Sequence, residues 1–202
     1  MRFGEWAGET AVVMASGPSM CSEDAEYVRG KARTIVVNTT FRLAPWADFL
    51  YSNDHDWMEM HLHEIGLKFK GEVICGHSAY QRDHVVDHVP FDRYAVGLKA
   101  CDGSIAWGMN SGAAAISLAH RLGATRIILL GFDQQWAGNM PRWHGRHPAQ
   151  LQNQKPGFHR WAEWFEQAAI DAKDEGISIV NCSRETSLTC FPRTPLREAL
   201  PC

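Results

Sequence analysis

The chain has 202 residues, 45% of them apolar, and a formal net charge of −3. That length and apolar share suit one domain with a buried core and exclude a disordered tail. The charge provides no sustained basic surface of the kind that binding to a phosphate backbone requires, so there is no strong nucleic-acid signal.

No run approaches the ~18 apolar residues of a membrane span, and the first residues lack the basic and apolar segments of a signal peptide. The expectation is a cytoplasmic protein without a membrane partner. The six cysteines, Cys21, Cys75, Cys101, Cys182, Cys190 and Cys202, contain no Cys-x-x-Cys pair and are expected to be reduced thiols. Tryptophan is abundant, at eight residues. Trp136, Trp143, Trp161 and Trp164 lie beside histidines and arginines, where they serve packing or wall a pocket.

In chain order, residues 10–15 form an apolar, β-branched run stopped by Gly17-Pro18, and a helix follows with Ser22 as its expected N-cap. Strands are expected at 34–37, 48–51 and 72–75. Residues 76–108 yield no clear pattern. Small and apolar residues at helical spacing fill 111–122, Gly123 closes that helix, and RIILLGFD follows as a buried strand. A lid-like loop, 134–156, lacks periodicity; loops of this length inside domains are usually functional or mobile. An amphipathic helix at 158–173 and a short strand at 177–180 complete the pattern. Three prolines suggest an irregular surface tail at 184–202. Alternating strands and helices predict a single α/β domain, residues 1–202, with a mainly parallel, Rossmann-like sheet and helices on both faces.

Open α/β sheets bind ligands beyond the carboxyl ends of their strands. The residues there are Ser16-Gly17-Pro18-Ser19, Asn38-Thr39-Thr40, Ser52-Asn53-Asp54 and Gly131-Phe132-Asp133. Each is also ordinary turn chemistry, but four such loops on one sheet edge point to a binding crevice. Gly17 lets the backbone approach a ligand, Pro18 stiffens the turn, and Ser19 offers a hydroxyl near a helix N-terminus. Neither a Walker A sequence nor GxGxxG is present, which disfavours a P-loop ATPase or an ordinary NAD dehydrogenase. Asn110-Ser111-Gly112-Ala113 is a second place where a helix start could meet an anion, and close packing would use the same small residues. His144, His147 and His159, in or just after the long loop, are general-base candidates. His144 and His147 with Asp133 match no strong metal motif, so no metal site is expected. His55, His61 and His63 read as a solvated helix face.

The segments VVMASGPSM, VVNTTF, LYSND and NSGAAAISLAHRLGATRIILLGFD resemble two related groups of Rossmann-like transferases. One is the bacterial sialyltransferases that use CMP-sialic acid. The other is the MptE-like group, which includes motility-associated flagellin glycosyltransferases and an archaeal pterin diphosphokinase. The resemblance implies that Ser16, Gly17, Pro18 and Ser19 line the nucleotide's phosphates and ribose, that Asn38 and Asn53 contact the nucleotide, and that Ser111 and Gly112 close the other side. It makes His159 the first choice of general base. The tyrosines that assist the leaving phosphate in the sialyltransferases have no counterpart in the loop after Asp133, where Arg142, Trp143 and Arg146 stand instead. Arginine can assist a phosphate electrostatically.

The resulting expectation is a transferase using a nucleotide-sugar donor and a hydroxyl-bearing acceptor, with no cofactor. Two alternatives stay open. One is a pyrophosphokinase of the pterin type, with Mg²⁺ held by carboxylates such as Asp54 and Asp133. The other is a non-catalytic nucleotide-binding module. A homo-oligomer is compatible with the sequence.

Overall fold

The computed structural model describes residues 2–151 and 157–201. Strand β1 (Thr10–Met14) leads through α1 (Ser22–Val28) to β2 (Arg33–Val37), and a 3₁₀ turn, Asn38–Arg42, leads to β3 (Phe49–Ser52). Helix α2 (His55–Lys68) joins β3 to β4 (Glu72–Cys75), which is followed by β5 (Val86–His88), β6 (Phe91–Asp92) and β7 (Ile105–Ala106). Helix α3 (Ser111–Arg121), β8 (Arg126–Leu130), α4 (Phe158–Asp174), β9 (Ser178–Asn181) and α5 (Leu196–Ala199) complete the chain.

Seven strands form one sheet in the order β5-β4-β3-β2-β1-β8-β9, and every neighbouring pair is parallel. Strands β6 and β7 pair separately. The period-two alternation of β1 explains the layering. Ala11 and Val13 join the core under α3 and α4, whereas Val12 and Met14 join the core under α1, α2 and α5. The architecture is therefore α/β and Rossmann-like. The chain runs outward from β1 to β5, then crosses back to place β8 on the other side of β1. That reversal makes the β1/β8 junction the topological switch point, where a crevice opens beyond the strand ends.

Several expectations are corrected. The third strand is shifted one residue along from 48–51: the Thr34 N–H of β2 is taken by the Asp48 side chain at 2.7 Å, and backbone pairing with β2 begins at Phe49. The last strand is likewise Ser178–Asn181 rather than 177–180, because the Ile177 N–H turns back to the Ala172 carbonyl at 2.7 Å and closes α4. Cys21, not Ser22, occupies the N-cap of α1, and it makes no side-chain cap. Residues 184–201 are irregular apart from α5 and largely exposed, yet they are not wholly a surface run. Leu188, Phe191, Leu196, Ala199 and Leu200 are buried, and the Tyr27 hydroxyl donates to the Leu200 carbonyl at 2.8 Å. The prolines there bend a packed segment instead of releasing it. Of the three histidines expected on a solvated face of α2, His63 is exposed and His55 partly so, but His61 is buried against the Trp57 ring, with centroids 4.6 Å apart. Among the described residues no helix is long and apolar enough to cross a membrane. Cys21, Cys75, Cys101, Cys182 and Cys190 are free thiols.

Candidate functional site

The loop after β1 continues the β1/β8 ladder past its formal end. The Ala15 N–H donates to the Leu130 carbonyl and the Gly17 N–H to the Gly131 carbonyl, both at 2.8 Å. This brings Gly17 so close to β8 that an added Cβ would lie 2.4 Å from the Gly131 oxygen and 2.5 Å from Asp133 Oδ1. Only glycine fits there. Ser16 Oγ is shared with Thr40 Oγ1 at 2.9 Å. Ser19 turns down from the crevice: its N–H donates to Asp133 Oδ2 at 2.6 Å and its hydroxyl to Oδ1 at 2.8 Å.

Asp133 is only 1% exposed, so it anchors the loop from beneath and does not line the crevice. Burial pushes its pKa up, against the two Ser19 hydrogen bonds that pull it down.

The crevice is lined by Ser16, Gly17, Pro18, Asn38, Asn53 and Asp54 on the β1 to β3 side. Ser111 and Gly112 at the start of α3 close it, together with Gln134, Arg142 and His147 from the long loop. Asn110 caps α3 by accepting the Ala113 N–H at 2.8 Å, and Ser111 Oγ accepts the Asn53 N–H at 3.1 Å. The N–H groups of Ser111 and Gly112 have no acceptor within the helix and carry the positive end of its dipole. Asn53 Oδ1 accepts the buried Tyr51 hydroxyl, which leaves Asn53 Nδ2 as a buried donor without a partner. Asp54 is the N-cap of α2, with Oδ1 accepting the Trp57 N–H at 3.1 Å.

The long loop is fastened at Trp143, whose N–H donates to the Ser16 carbonyl and whose indole donates to Thr40 Oγ1, each at 3.3 Å. That anchoring brings Arg142 and His147 to the crevice. Arg142 is half-buried, and among the described residues no carboxylate pairs with it. Burial pulls its pKa down, the signature of a cation held where its charge is uncompensated. His144 lies behind His147, with ring centroids 5.2 Å apart, and its Nε2 is buried without a partner. Burial first, and then the Arg142 charge, pull both imidazoles down to about 4. Both are neutral at pH 7.

Two expected residues fall elsewhere. His159, in the first turn of α4, is exposed, while its neighbours Phe158 and Trp161 line the crevice. Residues three apart share a helix face, and His159 is rotated about 100° from Phe158 toward solvent. Arg146 is exposed and also does not line it. Of the tryptophans read as pocket walls, Trp161 is one, Trp143 is an anchor, Trp164 is core and Trp136 is exposed. Sequence reasoning missed Trp107, Met109 and Gln134 as lining residues; Trp107 lies in the unread segment, and nothing in the pattern marks the other two. Residues 152–156 of the long loop lie outside the described residues.

No protein-family model, curated protein or solved structure matches the chain. The geometry therefore has to carry the functional reading. Among the described residues, no three His, Cys, Asp or Glu side chains gather as a metal-ligand set.

The two depressed histidines make stability pH-dependent. From the ordinary 6.5 down to about 4, the unfolded chain binds more protons than the folded one, so stability falls as pH drops through that window. After allowance for their partial exposure, the pair accounts for about 2 kcal/mol, or about 4–8 °C in melting temperature. Melting curves from pH 7 to 4 should show this loss in the wild type and much less of it in a His144→Asn/His147→Asn double variant. Parallel curves would exclude the depressed pKa values.

Proposed function

We propose that the chain is a nucleotide-dependent transferase that lays a nucleotide sugar across the strand tips and passes the sugar to an acceptor hydroxyl. The observation that carries this reading is the Arg142 guanidinium, without a carboxylate partner among the described residues, beside a neutral His147 in the same crevice as the α3 N-terminus and the Gly17 loop. An uncompensated cation and unused helix N–H groups suit a phosphate. A neutral imidazole beside them suits proton transfer.

In the proposed step the acceptor oxygen attacks the anomeric carbon and its proton passes to His147. The carbon–oxygen bond to phosphate breaks, and its electron pair leaves on the phosphate, which Arg142 stabilises. His147 thus takes the role that the resemblance to the sialyltransferases implied for His159. The same resemblance makes a donor of the CMP-sialic acid type the first to test. The pyrophosphokinase reading has less support, because of the two carboxylates named for Mg²⁺ Asp133 has both oxygens bonded to Ser19 and Asp54 has Oδ1 bonded at the α2 cap.

A thermal-shift screen against CMP, UMP, GDP, ATP and the corresponding sugar conjugates, with and without EDTA, tests the proposal. A true ligand at 100 times its Kd stabilises by about 2.7 kcal/mol. At least one nucleotide sugar should raise the melting temperature, and EDTA should leave that rise intact. A shift confined to ATP with Mg²⁺, or no shift with any nucleotide, would contradict it.

A further inference from the structure

Among the described residues, three non-glycine residues hold a left-handed backbone: Asn38 at φ 50°, Met109 at φ 57° and Gln134 at φ 50°. All three line the crevice. Such conformations persist only where the surroundings enforce them, and they concentrate at functional sites. Two of the three share a second peculiarity. The side-chain oxygens of Asn38 (Oδ1) and Gln134 (Oε1) are buried and accept no hydrogen bond from the described residues. Gln134 is fixed in place because its carbonyl accepts the Ser187 hydroxyl and the Asp133 carbonyl accepts the Ser187 N–H, both at 2.8 Å.

An amide oxygen without a partner calls for a donor. A phosphate ester at neutral pH has only acceptors, so it cannot satisfy either oxygen; hydroxyl groups can. The two oxygens lie on opposite sides of the β1 loop, Asn38 at the tip of β2 and Gln134 beyond β8. The tip of β2 is where dinucleotide-binding sheets read a ribose hydroxyl. Gln134 stands across the switch point from it, on the loop that also carries Arg142 and His147.

We propose that Gln134 is a specificity-determining residue: its side-chain oxygen accepts a hydrogen bond from a hydroxyl of the sugar carried on the nucleotide's phosphate. The site therefore distinguishes a nucleotide sugar from the bare nucleotide. This rests on the nucleotide-sugar reading above.

The test is calorimetric titration of wild type, Gln134→Ala and Gln134→Gly with matched pairs: CMP and CMP-N-acetylneuraminate, UDP and UDP-glucose, GDP and GDP-mannose. For whichever pair binds, both variants should weaken the sugar conjugate about five- to tenfold and leave the bare nucleotide within about twofold. Gln134→Gly adopts the left-handed backbone without strain and should melt about 2 °C above Gln134→Ala, which keeps one folded variant in hand. Unchanged conjugate affinity overturns the proposal, and so does an equal loss for both members of a pair. No binding of any pair to the wild type overturns the nucleotide-sugar reading itself, and this inference with it.

Discussion

Replacing His147 with alanine is expected to lower turnover of the stabilising nucleotide sugar by about 10²- to 10⁴-fold and to leave donor affinity within a few-fold. The asymmetry follows from the placement. His147 lines the crevice beside Arg142 with its imidazole neutral, and under the proposed transfer it takes the acceptor's proton. It has no need to bind the donor. His159→Ala should change turnover less than twofold, because that side chain faces solvent beside the lining residues Phe158 and Trp161. Stopped assays of sugar transfer by both variants decide between them. A silent His147→Ala beside an inactive His159→Ala would return the role to His159. A rate undiminished in both variants would remove both histidines as the base, and a nucleotide sugar that binds the wild type without any turnover would favour a binding module. The pH profile adds a signature: kcat/KM reports the free enzyme, whose His147 titrates near pH 4, so its acid limb should lie well below the ordinary histidine value of 6.5.

Gly17→Ala should unfold part of the site without touching its chemistry. The new methyl would lie 2.4 Å from the Gly131 carbonyl oxygen and 2.6 Å from Asp133 Cγ, neither of which can withdraw easily. Gly131 accepts the Gly17 N–H at 2.8 Å in the extended ladder, and both Asp133 carboxylate oxygens are bonded to Ser19. Overpacking of this kind, with loss of one or two of those hydrogen bonds, is expected to remove about 3 kcal/mol, or about 6–12 °C in melting temperature. Nucleotide stabilisation should disappear as well. Gly66→Ala is the matched control, since its Cβ meets nothing within 4 Å in the last turn of α2. Alanine there should add about 1 kcal/mol by helix propensity. Equal effects of the two changes on melting would refute the close-contact account.

The switch-point crevice was legible because its parts are local. Strand β1 announces itself by β-branched residues and a glycine-proline stop, and α3 by small residues at helical spacing ending in Gly123. Ordering these elements by the open-sheet rule placed Gly17, Asn38, Asn53 and Ser111 on one edge, and the structure brings them together. Three kinds of feature were not legible. Strands β5, β6 and β7 are two or three residues long, too short for a period of two to register. The tail hides its buried residues among prolines, so composition suggests surface where packing decides otherwise. Residue direction also escapes spacing: Ser19 and Asp133 sit in the right loops but point at each other. The bond between them spans 114 positions, a separation that no local pattern encodes.

Arg142 is the place to test the central claim, that the crevice exists to hold the phosphate of a nucleotide. Calorimetric titration of wild type and Arg142→Ala with the nucleotide sugar found by thermal shift measures this directly. A charge-assisted hydrogen bond to phosphate is worth about 1.5–3 kcal/mol, so the variant should bind about 10- to 150-fold more weakly. Because the guanidinium is half-buried and without a carboxylate partner among the described residues, the ligand-free variant should melt no lower than the wild type. Weaker binding together with undiminished stability is the predicted result; unchanged affinity in a folded Arg142→Ala would contradict the account.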